Sequence, residues 1–434
     1  MSTAPAYASP ALTASTRANL SIACIIFALF VLAALFSAER KDITQGFDEV
    51  AHASYVAEIQ DAGKASPDLN SLRLLDPRTF QFTDLPNYLN HPAEFYDLLA
   101  WLGPKLEGHP QALLADRLID VAIAAVGLAA LLGLGLAAGF SRNEFYAYAL
   151  PLACIPVLAP LAGSVNNDNL AFLGGALATL GIWQLVASER GVWLALALVG
   201  VVVAACAKAT GLVLTGAMVS AAIAYLIWRR RWRWSWTIAV VLAVLVAAAP
   251  YIVFAMQYGS PAPDTPAQVA MLKRDAGVLG LANLPRKSFV AYFGYFVVAF
   301  IAEWMPSLNP RGIFNYAMLV IPVVALICAA AGTGLSLRRL WRRQETALDV
   351  VVIAGALALA LTFTLHVRHS YADHLATGWL MEAYPRYYLP LVAIVPLAGL
   401  SLTGAIRSPR WRVGLLAFLI AGPIVFRLLG APLG

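Results

Sequence analysis

Residues 211–256 read GLVLTGAMVSAAIAYLIW, then RRRWRWSW, then TIAVVLAVLVAAAPYIVFAM. Two apolar runs flank a short loop dense in arginine and tryptophan. Each run is close to the roughly 20 residues a helix needs to cross a hydrocarbon core. Short basic loops stay on the cytoplasmic side, and tryptophans gather at the membrane surface. This stretch therefore reads as a transmembrane hairpin with Arg229–Arg233 inside, and it sets the fold class: an all-α polytopic membrane protein.

Composition agrees. Sixty per cent of the residues are hydrophobic and only 12% are charged, with a mean hydropathy of +0.73. That leaves too little polar surface for a soluble fold, so soluble classes drop out. The net charge of +6 raises the question of nucleic acid. The basic residues, however, cluster in short loops between apolar runs, which is orientation chemistry, and no nucleic-acid partner is expected. Cys24, Cys154, Cys206 and Cys328 all fall in apolar stretches with no metal-ligand spacing, so they read as small hydrophobes.

Outward from the hairpin, apolar runs occur at Leu20–Phe36, Ile119–Gly139, Phe145–Leu161, Leu170–Val186, Val192–Cys206, Ile313–Ala331, Ala347–Leu365, Leu389–Ala405 and Trp411–Phe426. The first follows a polar leader with Arg17. It reads as an uncleaved span and not a signal peptide, because so many spans follow. Two further basic loops, around Arg338–Arg343 and Arg407–Arg412, are cytoplasmic by the same rule. The number of crossings between Arg233 and Arg338 must then be even. Phe289–Ala302, short and rich in Tyr and Phe, is accordingly read as a re-entrant or interfacial helix on the outer side. The count is about 11 spans, with the N-terminus inside and the C-terminus outside. Residues 1–17 form a cytoplasmic tail. Residues 18–434 form a single domain, including a large first extracytoplasmic loop, 39–117, and a second outer loop region, 257–312. This topology places all six histidines and most acidic residues outside. No inverted repeat is evident, which disfavours many secondary transporters.

Chemistry is sought on that face. Asp48 and Glu49 are adjacent, so a helix would point them about 100° apart. His52, four residues on, would share a face with Asp48. The group suits a general base or metal-binding carboxylate at the membrane surface; an exposed loop helix would carry the same pattern. His91 precedes Pro92, which can open a helix. Asn166, Asn167, Asp168 and Asn169 form a polar run between apolar segments, either a plain turn or a binding site. Lys208, alone between two apolar runs, either snorkels to the outer interface or holds a phosphate. Arg386 is a natural bidentate phosphate partner, while Tyr387 and Tyr388 also suit an interface with no further role.

Together these elements resemble the GT-C superfamily of polyprenyl-phosphate-sugar-dependent glycosyltransferases. The likeness is nearer to bacterial membrane proteins of the DUF2142 kind, with similarity to the protein mannosyltransferase and aminoarabinose transferase group. The matching elements are Asp48-Glu49 with His52, His91-Pro92 with Tyr96, Asn166–Asn169, Ala207-Lys208-Ala209-Thr210-Gly211, and Arg386-Tyr387-Tyr388-Leu389-Pro390. The second proline often seen after His-Pro is Ala93 here. The resemblance implies a GT-C-like fold and an inverting glycosyltransferase of a bacterial inner membrane, with its active site facing the periplasm. A polyprenyl-phosphate-linked sugar would be the donor, membrane lipids would surround it, and the acceptor is unspecified. It implies Asp48 as the base, with Asp168 or Glu49 assisting or holding a divalent cation (Mg or Mn). Lys208 and Arg386 would hold the donor phosphate, with His52, His91, Asn167 and Tyr387 in support. Metal dependence stays open. A lipid or polysaccharide transporter, and a non-catalytic assembly subunit, are the competing classes.

Overall fold

The computed structural model of the chain describes residues 14–302, 320–380 and 384–429. Helices dominate because a helix satisfies its own backbone polar groups where no water can. The chain opens with α1 (Ala14–Arg40), whose Leu29 and Leu32 project outward, exposed. A layer of α2 (Glu49–Ala62), β1 (Arg73–Leu75), β2 (Phe82–Pro86) and α3 (Glu94–Leu102) follows. β1 and β2 are antiparallel, with Arg73 opposite Pro86, Leu75 opposite Phe82, and an irregularity between. The rest of the chain forms α4 (Leu113–Ala137), α5 (Arg142–Ala153), α6 (Leu158–Ala162), α7 (Asp168–Ser188), α8 (Gly191–Ala207), α9 (Ala209–Trp228), α10 (Thr237–Tyr258), α11 (Pro266–Val278), α12 (Phe289–Ala302), α13 (Val320–Trp341), α14 (Ala347–Thr377), a 3-10 segment Pro385–Leu391, α15 (Ile394–Ala405) and α16 (Pro409–Leu429).

Among the described residues, seven helices are long and apolar enough to cross a membrane: α1, α4, α7, α9, α10, α13 and α14. The 3-10 segment and α15, bent by 59°, make an eighth if they count as one crossing. Besides this bend within the expected Leu389–Ala405, and α16, which holds the expected Trp411–Phe426 but is not among the seven, the expected spans differ in three places. Phe145–Leu161 is two helices, α5 and α6: Pro156 stands in the break between them, while Pro151 lies inside α5. Val192–Cys206 falls in α8, only 17 residues long. The run Ala347–Leu365 continues as helix to Thr377, so His366, His369 and His374 stand on α14 and not in a loop. The start of Ile313–Ala331, most of the 1–17 tail and residues 303–312 lie outside the described residues.

Two apolar cores hold the molecule. The larger joins the helices, and the smaller fills the layer with Tyr55, Leu72, Phe95, Tyr96 and Leu99. The smaller core also takes in Val165, Leu170 and Phe254, so the layer is seated directly on the helix ends. Tyr258, at the end of α10, donates to Asp68 at 3.0 Å and accepts from the Leu69 amide at 3.0 Å. Without a hydrophobic drive between helices in lipid, close approach falls to small residues. A Cβ on Gly174 would lie 2.6 Å from the Ala204 nitrogen, and one on Gly175 would lie 2.3 Å from Pro390 Cα. Gly175 thus lets the 3-10 segment lie against α7, which brings Arg386 to the start of that helix.

The two ends of the bundle differ in chemistry. At one end Arg231 pairs with Glu189, Arg229 with Glu345, and Arg412 with Glu144. At the other end sit the layer and the junctions of α6 with α7 and α8 with α9.

Candidate active site

The layer and the helix ends enclose a cavity of about 360 Å³. Its floor is Asp168, Lys208 and Arg386, its wall Asp48, His52 and His91, and its roof Gln268, Met271 and Arg274 of α11.

Asp48 ends the loop from α1 and caps α2. The backbone turns sharply there: Gly46, Phe47 and Asp48 have φ of 142°, 57° and 60°. Positive φ costs a non-glycine residue free energy, although Asp and Asn tolerate it best. The turn aims the Asp48 carboxylate into the cavity, where it remains partly exposed. Arg386 donates to one oxygen at 2.7 Å and the Tyr88 hydroxyl to the other at 3.0 Å. Burial pushes the carboxyl up, but Arg386 and these hydrogen bonds outweigh it, so Asp48 sits below the usual carboxylate range.

Glu49 points the other way. Arg117 holds both its oxygens, at 2.7 and 2.8 Å, and the Val165 amide adds a bond at 2.9 Å. Arg117 also reaches the carbonyls of Ala38 and Lys41. Glu49 therefore ties the α1–α2 loop to α4 and stands outside the cavity wall.

Lys208 occupies an extended break between α8 and α9, with φ −173° and ψ 162°. It does not snorkel to the surface; it is buried, bonds to Asp168, and lies 3.9 Å from the Tyr387 ring centroid. Asp168 opens α7, and its other oxygen is 3.6 Å from Arg386 Nε. That separation is too long for a hydrogen bond, and Arg386 Nε has no hydrogen-bond partner.

The amide run is buried rather than water-facing. Asn167 donates to the Ala207 carbonyl at 2.8 Å, Asn166 to that of Phe47 at 2.6 Å, and Asn169 to Asp120 at 3.1 Å. These bonds join the Lys208 break, the Asp48 turn and α7. His52 and His91 stack at 6.1 Å, and His52 Nδ1 is 2.8 Å from the Tyr96 hydroxyl. Burial, followed by the positive charge of Lys208, pulls His91 down to about 3, so it is neutral at physiological pH. Burial likewise holds His52 well below its ordinary value.

The structure thus gathers Asp48, His52, His91, Asn167, Asp168, Lys208, Arg386 and Tyr387 around one cavity and leaves Glu49 aside. The sequence reading missed Tyr88, which nothing local distinguishes, and Arg117, whose signal was a lone arginine at the start of an apolar helix. Neither Asp168 nor Glu49 suits a metal, since each faces cationic side chains. A separate cluster, Asp264, His369 and Asp373, has ligand atoms within 4.8 Å of one another and can accommodate a divalent cation.

No protein-family model and no curated protein matches the chain. Solved structures do. The fold is shared with a solved polytopic membrane protein. The chain resembles ArnT from Cupriavidus metallidurans in its apo crystal structure, with a TM-score of 0.51 at 15% identity over 91% of this chain and 62% of that one. The crystal structure of ArnT from Cupriavidus metallidurans bound to undecaprenyl phosphate aligns with a TM-score of 0.33 at 14% identity, over 95% of this chain and 88% of that one. The chain therefore spans less than two thirds of the apo ArnT structure.

Proposed function

We propose that the chain transfers a sugar from a polyprenyl-phosphate donor to a hydroxyl-bearing acceptor, inverting the anomeric carbon. One observation carries this reading. A partly exposed carboxylate, Asp48, faces two cations, the buried Lys208 and the partly buried Arg386, in a cavity where the layer meets membrane helices. A phosphate on a lipid tail needs such cations at membrane depth, and an attacking hydroxyl needs a base beside them. The ArnT-like fold and the motif resemblance support the same class.

In the proposed reaction, the acceptor oxygen attacks the anomeric carbon while its proton passes to Asp48. The bond between that carbon and the phosphate oxygen breaks, and the electron pair stays on the phosphate. Lys208 and the free Nε of Arg386 stabilise the charge that grows there. Arg386 exchanges part of its contact with Asp48 for the phosphate, and Asp168 holds Lys208 in place. Neutral His52 and His91 shape the wall. Asn167 and Glu49 are positioning residues, the latter through Arg117. Mg or Mn dependence is assigned no step at Asp48 or Asp168.

The proposal retains about 11 crossings, in which α5 with α6, α8 and α16 supplement the eight counted above. It places the protein in a bacterial inner membrane with the cavity facing the periplasm. The test supplies radiolabelled polyprenyl-phosphate sugars to membranes with wild-type protein, Asp48→Asn protein, or none. Transfer of label to an acceptor that requires Asp48 supports the reading. Donor binding with no transfer under any acceptor extract favours the transporter or assembly classes instead.

A further inference from the structure

Asp264 lies two residues before α11, the helix that roofs the cavity, while His369 and Asp373 lie one turn apart near the end of α14. The His369 Nε2 is 3.8 Å from an Asp264 oxygen and 3.6 Å from Asp373 Oδ2. A tetrahedral ion with bonds of about 2.1 Å separates its ligand atoms by about 3.4 Å, so the two His369 separations need little adjustment, and the two carboxylates lie within 4.8 Å of each other. A second observation points to a ligand. Asp373 is nine-tenths buried, and its Oδ2, aimed at the cluster, has no hydrogen-bond partner. A buried carboxylate oxygen in that state is costly unless something cationic meets it.

We infer that Asp264, His369 and Asp373 bind one divalent transition ion, which staples the start of α11 to the outer end of α14. One imidazole and two carboxylates suit zinc, with manganese next, better than magnesium or calcium, which prefer all-oxygen sets. The side chains of Asp264 and His369 are 42% and 47% exposed, so the ion can enter from solvent and keep a water ligand. On its other side the same loop is already held: Asn90 donates to the Pro263 carbonyl at 2.7 Å and to Gln268 at 3.0 Å. The ion completes the clamp on the roof. None of its three ligands belongs to the cavity wall, so its role is to fix the lid and not to touch the reacting atoms.

The test uses purified full-length protein in detergent, stripped with chelator, and no sugar donor, so its outcome is independent of the transfer reaction. Zinc is added with magnesium in large excess, and bound metal per chain is measured after desalting. Wild type is expected to retain one zinc. His369→Ala and Asp264→Asn, both at half-exposed positions, are expected to lose it while remaining monodisperse. Asp61→Asn, elsewhere on the surface, should keep it. Zinc should also slow tryptic cleavage after the exposed Lys273 and Arg274 of α11 several-fold in wild type and leave the rate unchanged in the two variants. Failure of wild type to retain zinc, retention of a full equivalent by both variants, or metal binding without protection of α11 would each overturn the staple.

Discussion

Asp48 and Glu49 are chemically near-twins with opposite fates, decided by one turn of backbone. The left-handed conformation at Phe47 and Asp48 sends the first carboxylate into the cavity and the second toward Arg117. Asp48→Asn keeps that conformation, because Asn also tolerates positive φ. If Asp48 takes the acceptor proton, this change lowers kcat by about 10²–10⁴-fold and leaves donor affinity intact, measured side by side on purified protein. Arg386→Ala instead weakens donor binding, and Arg386→Lys restores it only in part, since an ammonium lacks the planar two-pronged contact. Normal donor affinity in Arg386→Ala would remove the phosphate role. Glu49→Gln leaves Arg117 buried without its counter-charge and destabilises the fold by about 3–5 kcal/mol, read as a fall in melting temperature. Helical spacing pointed to Asp48 and His52 as neighbours, although Asp48 lies just before α2, in the left-handed turn. The sequence could not tell which neighbouring carboxylate turned inward, because the deciding partners, Arg386 and Arg117, are 338 and 68 residues away.

At the level of elements, two helices yield predictions. On α3, burial and then the Glu94 carboxylate push Asp97 from 3.8 up to about 6. The fold therefore favours its protonated form. Its contribution is complete below about pH 4 and is lost as pH rises through about 6. Asp97→Asn should gain in melting temperature relative to wild type between pH 4 and 7; a constant difference would refute the assignment. The helix α12 descends beside α14, from Tyr371 and His374 at its start to Phe363 near its end, through ring contacts of Phe289, Tyr292, Phe296 and Phe300. It reaches only the middle of α14. A reporter fused after Trp304 should then report the same side as the layer, and the opposite signal would make α12 a crossing. The aromatic run was legible as a short helix, which α12 is. The extension of α14 to Thr377 was not, because its polar residues face α12 and the α11 loop, partners that no local pattern reveals.

For the molecule as a whole, the two chemically distinct ends should lie on opposite sides of the membrane. Single cysteines at exposed positions 233 and 343 should label from one side, and those at 61 and 70 from the other, in a background without native cysteines. Labelling of 233 and 61 from the same side would end the topology. Hydropathy and arginine placement made this two-sidedness readable, whereas the layer's own core depended on contacts between distant segments. The charges at the cavity carry a kinetic consequence. Asp48, Asp168, Lys208 and Arg386 cancel. In the proposed reaction Asp48 ends protonated, which leaves the protein groups net positive against a spent carrier phosphate bearing about −1.5 to −2. The carrier is then gripped hardest just after transfer, until Asp48 gives its proton to water. Release of the carrier, and not bond making, would then set the turnover rate, and a first round of transfer would outrun all those that follow it.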